Sequence, residues 1–266
     1  MKDKKVVIVT GASKGIGRAA AALFAAKGHI VYALSRSGCD LQGVHSVLCD
    51  VTDGARLREA IDGIANAENR IDVLVSNAGA GIAGAAEKTD TATAKSLFEL
   101  NFFALFEAAK CVIPHMRAAG GGHIVNVGSV AGALHLPFQA FYSASKAAVE
   151  AFGNALRGEL KPFKIKVSAI LPGDTRTHFT EAREKDFLPD DPDYGKRISR
   201  SISRMEHDER RGMPPEKVAR KILKAARKKN PKPTYTVGAQ YKFFLFLGKL
   251  LPRRWIQALI NRLYAK

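Results

Sequence analysis

The stretch Lys5-Val6-Val7-Ile8-Val9-Thr10-Gly11-Ala12-Ser13-Lys14-Gly15-Ile16-Gly17 decides the fold. Its first five residues form an apolar, β-branched run that ends at a glycine cluster, the pattern of a strand covered on both faces. Gly15–Lys27 is Ala-rich and reads as a helix. Between them, glycines spaced G-x-x-x-G-x-G let the chain turn sharply and bring its backbone close to a ligand. The helix that follows aims free N–H groups and its positive end at the same place, which suits a pyrophosphate. A tight strand-to-helix turn without a ligand is the plainer reading, but the position after a first strand favours a nucleotide.

Downstream, apolar runs keep alternating with helical stretches. Strands are expected at His29–Ser35, Ser46–Cys49, Ile71–Ser76, His123–Gly128, Lys164–Leu171 and Thr234–Val237. Helices are expected from an Asp53 cap to Ala67, over Thr91–Arg117 despite Pro114, over Tyr142–Leu160 and over Pro215–Arg227. This βαβα order predicts an α/β fold, a doubly wound parallel sheet of Rossmann type, as a single domain over residues 1–266. Residues 174–213 are polar, hold Pro189 and Pro192, and read as an insertion with short helices that serves as a substrate lid.

The 266 residues carry a net charge of +17, with 46% hydrophobic and 25% charged residues. That excludes a disordered or fibrous chain. Residues 1–195 hold 22 Lys and Arg against 21 Asp and Glu; residues 196–266 hold 20 against 4, a net of +16. The body is therefore neutral, and the last quarter is either a solvated basic face or a surface for something anionic. Cys39, Cys49 and Cys111 cannot all pair within the chain, which fits reduced thiols and a cytoplasmic location. Strand-like sequence at Lys5 leaves no room for a signal peptide, and no apolar run reaches the ~20 residues of a membrane span. The seven histidines show no ligand-like cluster, so no metal is expected.

The second expected strand ends Leu34-Ser35-Arg36. An acidic residue there would grip ribose hydroxyls and repel a 2′-phosphate. Arg36, joined by Lys14 of the glycine loop, instead suits a 2′-phosphate, so the expected cofactor is NADP(H). Asp50, after the third strand, and its neighbour Val51 are placed to meet the adenine edge.

Tyr142-Ser143-Ala144-Ser145-Lys146 opens a helix and puts Tyr142 and Lys146 on one face. A nearby ammonium is expected to lower the tyrosine pKa toward working pH. Ser129 stands at the end of the strand His123–Gly128. Taken together with Thr10–Gly17, Ser76-Asn77-Ala78-Gly79, Asn101 and Pro172-Gly173, this chain resembles the short-chain dehydrogenase/reductase family from Lys5 to about Thr180. Ser76 is a small departure, since the family more often has Asn there.

The resemblance implies roles. Tyr142 is the general acid or base, Ser129 steadies the substrate oxygen, and Lys146 binds the nicotinamide ribose. Asn101 holds a water that relays protons. The cofactor is held by Gly11, Ser13, Lys14, Gly15, Ile16, Gly17, Arg36, Asp50, Val51, Asn77, Ala78 and Gly79, with Tyr142 and Lys146. Pro172, Gly173, Thr175 and Thr177 flank the carboxamide. The expected reaction interconverts a secondary alcohol and a ketone. Leu134, His135, Leu136, Phe138 and Phe141, between Ser129 and Tyr142, are expected to line an apolar substrate pocket for a steroid, a retinoid-like lipid or an acyl ketone. His135 as a plain surface residue is the alternative. Homo-oligomers through the helix Tyr142–Leu160 are a further expectation.

Residues 238–266 lie beyond the shared family region and read as a basic, apolar helical extension. Loosely, the tail resembles that of lipid- and steroid-handling members. Residues 241–266 suit peripheral contact with a membrane interface, or else pack on the enzyme body. A second reading of the whole chain is a nucleotide-sensing protein that holds membrane or nucleic acid with this basic region. Ser129, Tyr142, Lys146 and Asn101 argue against it, and no nucleic acid partner is expected.

Overall fold

Alternate residues of the first strand face two different cores. Val6 and Ile8 pack into one and Val7 and Val9 into the other, because side chains on a strand alternate between faces. The computed structural model describes residues 4–185 and 191–264. In chain order its elements begin with β1 (Val6–Thr10), α1 (Gly15–Ala25), β2 (Ile30–Ser35), β3 (His45–Leu48), α2 (Gly54–Glu68) and β4 (Val73–Ser76). There follow β5 (Ile82–Ala83), α3 (Thr91–Phe98), α4 (Ala104–Ala118), β6 (Gly122–Val127), α5 (Ala140–Glu159), β7 (Ile165–Pro172) and β8 (Glu184–Lys185). The chain ends with α6 (Gly195–Arg210), α7 (Pro215–Ala226), β9 (Thr234–Val237), α8 (Ala239–Leu250) and α9 (Arg253–Tyr264).

Seven strands form one parallel sheet in the order β3-β2-β1-β4-β6-β7-β9. β1 pairs with β2 through Val7↔Val31 and with β4 through Val7↔Val73. The chain winds one way from β1 to β3 and the other way from β4 to β9. The crevice at the carboxyl ends of β1 and β4 is therefore the switch point, where open α/β sheets bind ligands. Helices α1 and α7 cover one face, and α2, α4 and α5 the other. This is the doubly wound parallel sheet the strand pattern predicts. Asp53 caps α2 as expected, accepting from the Ala55 and Arg56 amides at 3.1 Å each.

The structure departs from the sequence reading in two places. The helix expected over Thr91–Arg117 is interrupted by a π-helical turn at Glu99–Phe103, which contains Asn101. Such a turn inserts a residue and re-aims its side chain. Pro114 does not break α4, which runs on to Ala118.

The second departure lies in residues 174–213, where the described residues form one helix, α6, of 16 residues rather than several short ones. The segment leaves and returns at one point, through a bridge between Thr175 and Met213. β8 pairs with β5. Residues 186–190, including Pro189, lie outside the described residues. The tail, expected as a helical extension, folds as the two helices α8 and α9; residues 265–266 lie outside the described residues. Among the described residues, no helix is long and apolar enough to cross a membrane.

Candidate active site

A cleft of about 910 Å³ opens at the switch point and runs from the glycine loop to the Ser129–Tyr142 region. Thr10 builds its floor by accepting from the Asn77 and Ala78 amides at 3.0 and 3.1 Å through its hydroxyl. The Asn77 carboxamide donates to the Thr10 and Gly11 carbonyls, both at 3.1 Å. These bonds clamp the ends of β1 and β4 together. Gly11 has a φ of +63°, and a Cβ there would sit 2.8 Å from the Ala78 Cα. A Cβ on Gly17 would sit 2.5 Å from the Asn77 amide nitrogen, so Gly17 is buried behind the lining.

Gly11, Ser13, Lys14, Gly15, Ile16, Asn77, Ala78 and Gly79 all line the cleft. So do Arg36, Asp50, Val51, Pro172, Gly173, Thr175 and Thr177. Lys14 and Arg36 are exposed at its mouth. Ser35 is buried and turns its hydroxyl away, donating to the Gly38 carbonyl at 3.0 Å. Asp50 accepts from the Thr52 amide and hydroxyl at 3.0 and 2.7 Å; these bonds, with the Arg36 charge as a smaller contribution, hold its carboxyl below the usual range.

Ser129, Tyr142 and Lys146 come together at the other end of the cleft. α5 starts at Ala140, so Tyr142 lies in its first turn and Lys146 one turn later on the same face. Burial pushes the Tyr142 phenol up to about 12, while the neighbouring Ser129 hydroxyl pulls the other way. Lys146 does not lower it. The Lys146 ammonium turns to the Val127 carbonyl at 3.3 Å and stands 5.9 Å from the Tyr142 ring centre, and burial brings its own pKa down to about 8. The expected depression of the tyrosine pKa thus gives way to desolvation, the stronger effect in a site this enclosed. A phenol held protonated is the form that gives a proton to a carbonyl oxygen.

Asn101 is wholly buried one layer behind the lining. Its carboxamide accepts from the Ala80 amide at 2.9 Å and donates to the Ala80 carbonyl and the Ser145 hydroxyl, both at 3.0 Å. Ser145 in turn donates to the Tyr142 carbonyl at 2.8 Å. The side chain therefore pins the segment after β4 to the start of α5 through Ser145. The water relay expected of Asn101 finds none of these side-chain bonds directed to the cleft.

Of the five expected substrate residues, Leu136 alone lines the cleft. Phe138 packs with Ala83, Ala85, Ile198 and Ile202 and meets the Tyr194 ring at 6.3 Å. Phe141 packs beside Ile82 and Leu97. Leu134 is half-buried outside the lining, and His135 is exposed. A turn at Val130–Gly132 folds this loop back, so its apolar residues serve neighbouring packing.

Several lining residues carried no signal in the sequence. The Phe179 ring lies 5.5 Å from that of Tyr142. Asp174 and Glu209 line the same end. Arg183, buried, pairs with Glu209, which also accepts from the Thr180 hydroxyl at 2.7 Å. Glu209 sits in a helix dense in charge, where only folding marks one carboxylate out. Asp174 directly follows Pro172-Gly173, and that adjacency was the one available clue.

A glycine-lined crevice at a sheet switch point, leading to a serine beside a buried tyrosine and lysine, defines an oxidoreductase built for a dinucleotide. The sequence profile of the short chain dehydrogenase family matches residues 5–187. A 3-ketodihydrosphingosine reductase of Bacteroides thetaiotaomicron is 37% identical over 264 residues, 98% of each chain. A probable short-chain type dehydrogenase/reductase of Helicobacter pylori is 32% identical over 96% of each. The crystal structure of a short-chain dehydrogenase from Streptomyces avermitilis superposes with a TM-score of 0.83 at 30% identity, covering 98% of this chain and 96% of that one. The chain belongs to the short-chain dehydrogenase/reductase family. It is an oxidoreductase of CH–OH and C=O groups with lipid-related relatives, and the family uses NAD(P)(H).

Proposed function

We propose that this enzyme is NADP(H)-dependent and interconverts a ketone and a secondary alcohol on an apolar, lipid-like substrate, with Tyr142 as general acid and base. The observation that carries the reading is the Ser129–Tyr142 pair at one end of a cleft whose other end offers Lys14 and Arg36 and no acidic residue after β2. The glycine loop leaves no room for side chains against Asn77 and Ala78, as a cradle for a pyrophosphate requires. The same set, with Asp50, Val51, Pro172, Gly173, Thr175 and Thr177, would hold the cofactor. When bound, the nicotinamide supplies or accepts a hydride.

The chain's own groups do the rest. Ser129 donates a hydrogen bond to the carbonyl oxygen and stabilises the charge growing there. Tyr142 gives that oxygen its proton, and takes it back in the oxidative direction. Lys146 would hold the cofactor ribose. Asn101 is a positioning residue that keeps Tyr142 and the segment after β4 in register. The described residues of the 174–213 segment would cover the substrate end as a lid, a reading supported by Phe179 and Glu209 in the cleft wall. The exposed Phe103 and the edge contact of Phe102, both in the π-helical turn, with Phe152 on α5 suit a homo-oligomer interface. The matching location is cytoplasmic, with peripheral membrane contact through residues 241–266. The nucleotide-sensor alternative finds no support in the relatives.

A turnover screen tests the reading. Purified enzyme with NADPH or NADH is offered long-chain 3-keto amines, acyl ketones, steroid ketones and short sugars, and nicotinamide absorbance is followed. NADPH-dependent loss of signal with the long-chain or steroid ketones is expected. Preference for sugars, or for NADH, would overturn it.

A further inference from the structure

The tail helices present two apolar faces, and the enzyme body uses only one. On the inner side the Tyr241 ring packs against Gly173 and its hydroxyl donates to Asp174. Ile260 is buried, and the Tyr264 hydroxyl donates to Asp208 at 3.1 Å. The Gln257 amide donates to the His135 carbonyl at 3.3 Å, which ties α9 to the loop that carries Leu136 into the cleft wall. The outer side is left over. Phe243, Phe246, Leu250, Trp255, Leu259 and Leu263 are each at least 41% exposed. They are six of the nine large apolar side chains exposed among the described residues.

We propose that the outer faces of α8 and α9 form one docking surface for an anionic lipid bilayer, and that docking holds the rim of the substrate cleft against the lipid. The second part rests on the lipid-substrate reading; the first does not. Charge chooses the occupant. Lys242, Lys249, Arg253, Arg254 and Arg262 interleave with the exposed apolar residues, and Ala239–Tyr264 holds no Asp or Glu. A second copy of the chain would bring like charges face to face. A nucleic acid would satisfy the cations and leave Leu250, Leu259 and Leu263 in water. An anionic interface neutralises the cations and accepts Trp, Phe and Leu at the level of the headgroups.

The chain has a single tryptophan, Trp255, and it lies in this surface, so its emission reports docking directly. The full chain is mixed with phosphatidylglycerol-containing vesicles or with pure phosphatidylcholine vesicles at low salt. A blue shift and co-sedimentation with the anionic vesicles are expected, weakened but not abolished by high salt. Phe246→Ser with Leu250→Ser should lower partitioning at least tenfold. Each Lys or Arg near such a surface contributes about fivefold, so Lys249→Gln with Arg254→Gln should lower it about 25-fold. NADPH-dependent turnover of a water-soluble ketone should stay unchanged in all of these variants. No binding of the parent to anionic vesicles, or variants that bind as the parent does, would overturn the proposal. An oligomer that the serine pair dissociates would assign the surface to a second copy, and binding to an oligonucleotide in place of vesicles would assign it to nucleic acid. Vesicle binding without turnover of any lipid-like ketone would count against the substrate reading and leave the docking surface standing.

Discussion

The ring of Tyr241 occupies the space that a Cβ on Gly173 would need. Gly173 lies in the cleft wall directly after β7, and Tyr241 lies in the first turn of α8. The tail is therefore keyed into the cleft, and the Tyr241 hydroxyl reinforces the joint by donating to Asp174. Gly173→Ala should destabilise the fold by about 1–3 kcal/mol through overpacking. In a Tyr241→Ala background the same change should cost much less, because the two residues share one space. Chemical unfolding of the four-member cycle measures this, and additive effects would refute it.

Phenylalanine at position 142 keeps the ring that Phe179 packs against and removes the proton. Tyr142→Phe should lower turnover by ~10²–10⁴, the usual scale of general acid–base catalysis. NADPH binding, followed by fluorescence titration, should barely change. Turnover near that of the parent would sink the assignment.

Arg36 is exposed at the cleft mouth and is free to meet a 2′-phosphate. A charge-assisted contact of this kind contributes roughly 1.5–3 kcal/mol, so Arg36→Ala should weaken NADPH binding on the order of ten- to a hundredfold. NADH binding should be nearly unaffected. Equal losses with both cofactors would make Arg36 a structural residue.

Burial raises the Asp174 carboxyl from 3.8 to about 6, against the pull of the Tyr241 hydrogen bond. A carboxyl with a raised native pKa contributes stability that is full below pH 3.8 and is lost as pH rises through about 6. Above that, a buried charge is being carried. Asp174→Asn keeps an acceptor for Tyr241 and removes the charge. It should stabilise the protein on the order of 1–2 kcal/mol at pH 8 and have little effect at pH 4. Urea unfolding at the two pH values checks this, and an equal effect at both would show that the charge is not the cause.

Most of the nucleotide half of the cleft was legible because its determinants are local. An apolar run followed by Gly11, Gly15 and Gly17 specifies a strand, a turn and a helix start within one short stretch. Tyr142 and Lys146 share a face through helical spacing alone. The π-helical turn at Asn101 was not legible, because it follows from three long-range bonds to Ala80 and Ser145.

The sequence by itself determined the parallel sheet, the glycine cradle, the catalytic-type residues and the concentration of charge in the last quarter. Each of these depends on residue type and on spacings of a few positions. Tertiary structure alone decided which side chains reach the cleft. Phe138 and Phe141 turn into neighbouring packing, while Phe179, Asp174 and Glu209 arrive from a segment that leaves and returns at Thr175 and Met213. It also decided that Tyr142 is governed by burial more than by Lys146, since desolvation depends on everything that encloses a group and not on its neighbour one turn away. The two apolar faces of α8 and α9 look alike in sequence; only the body's contacts, made through Tyr241, Gln257, Ile260 and Tyr264, show which face is left for a partner.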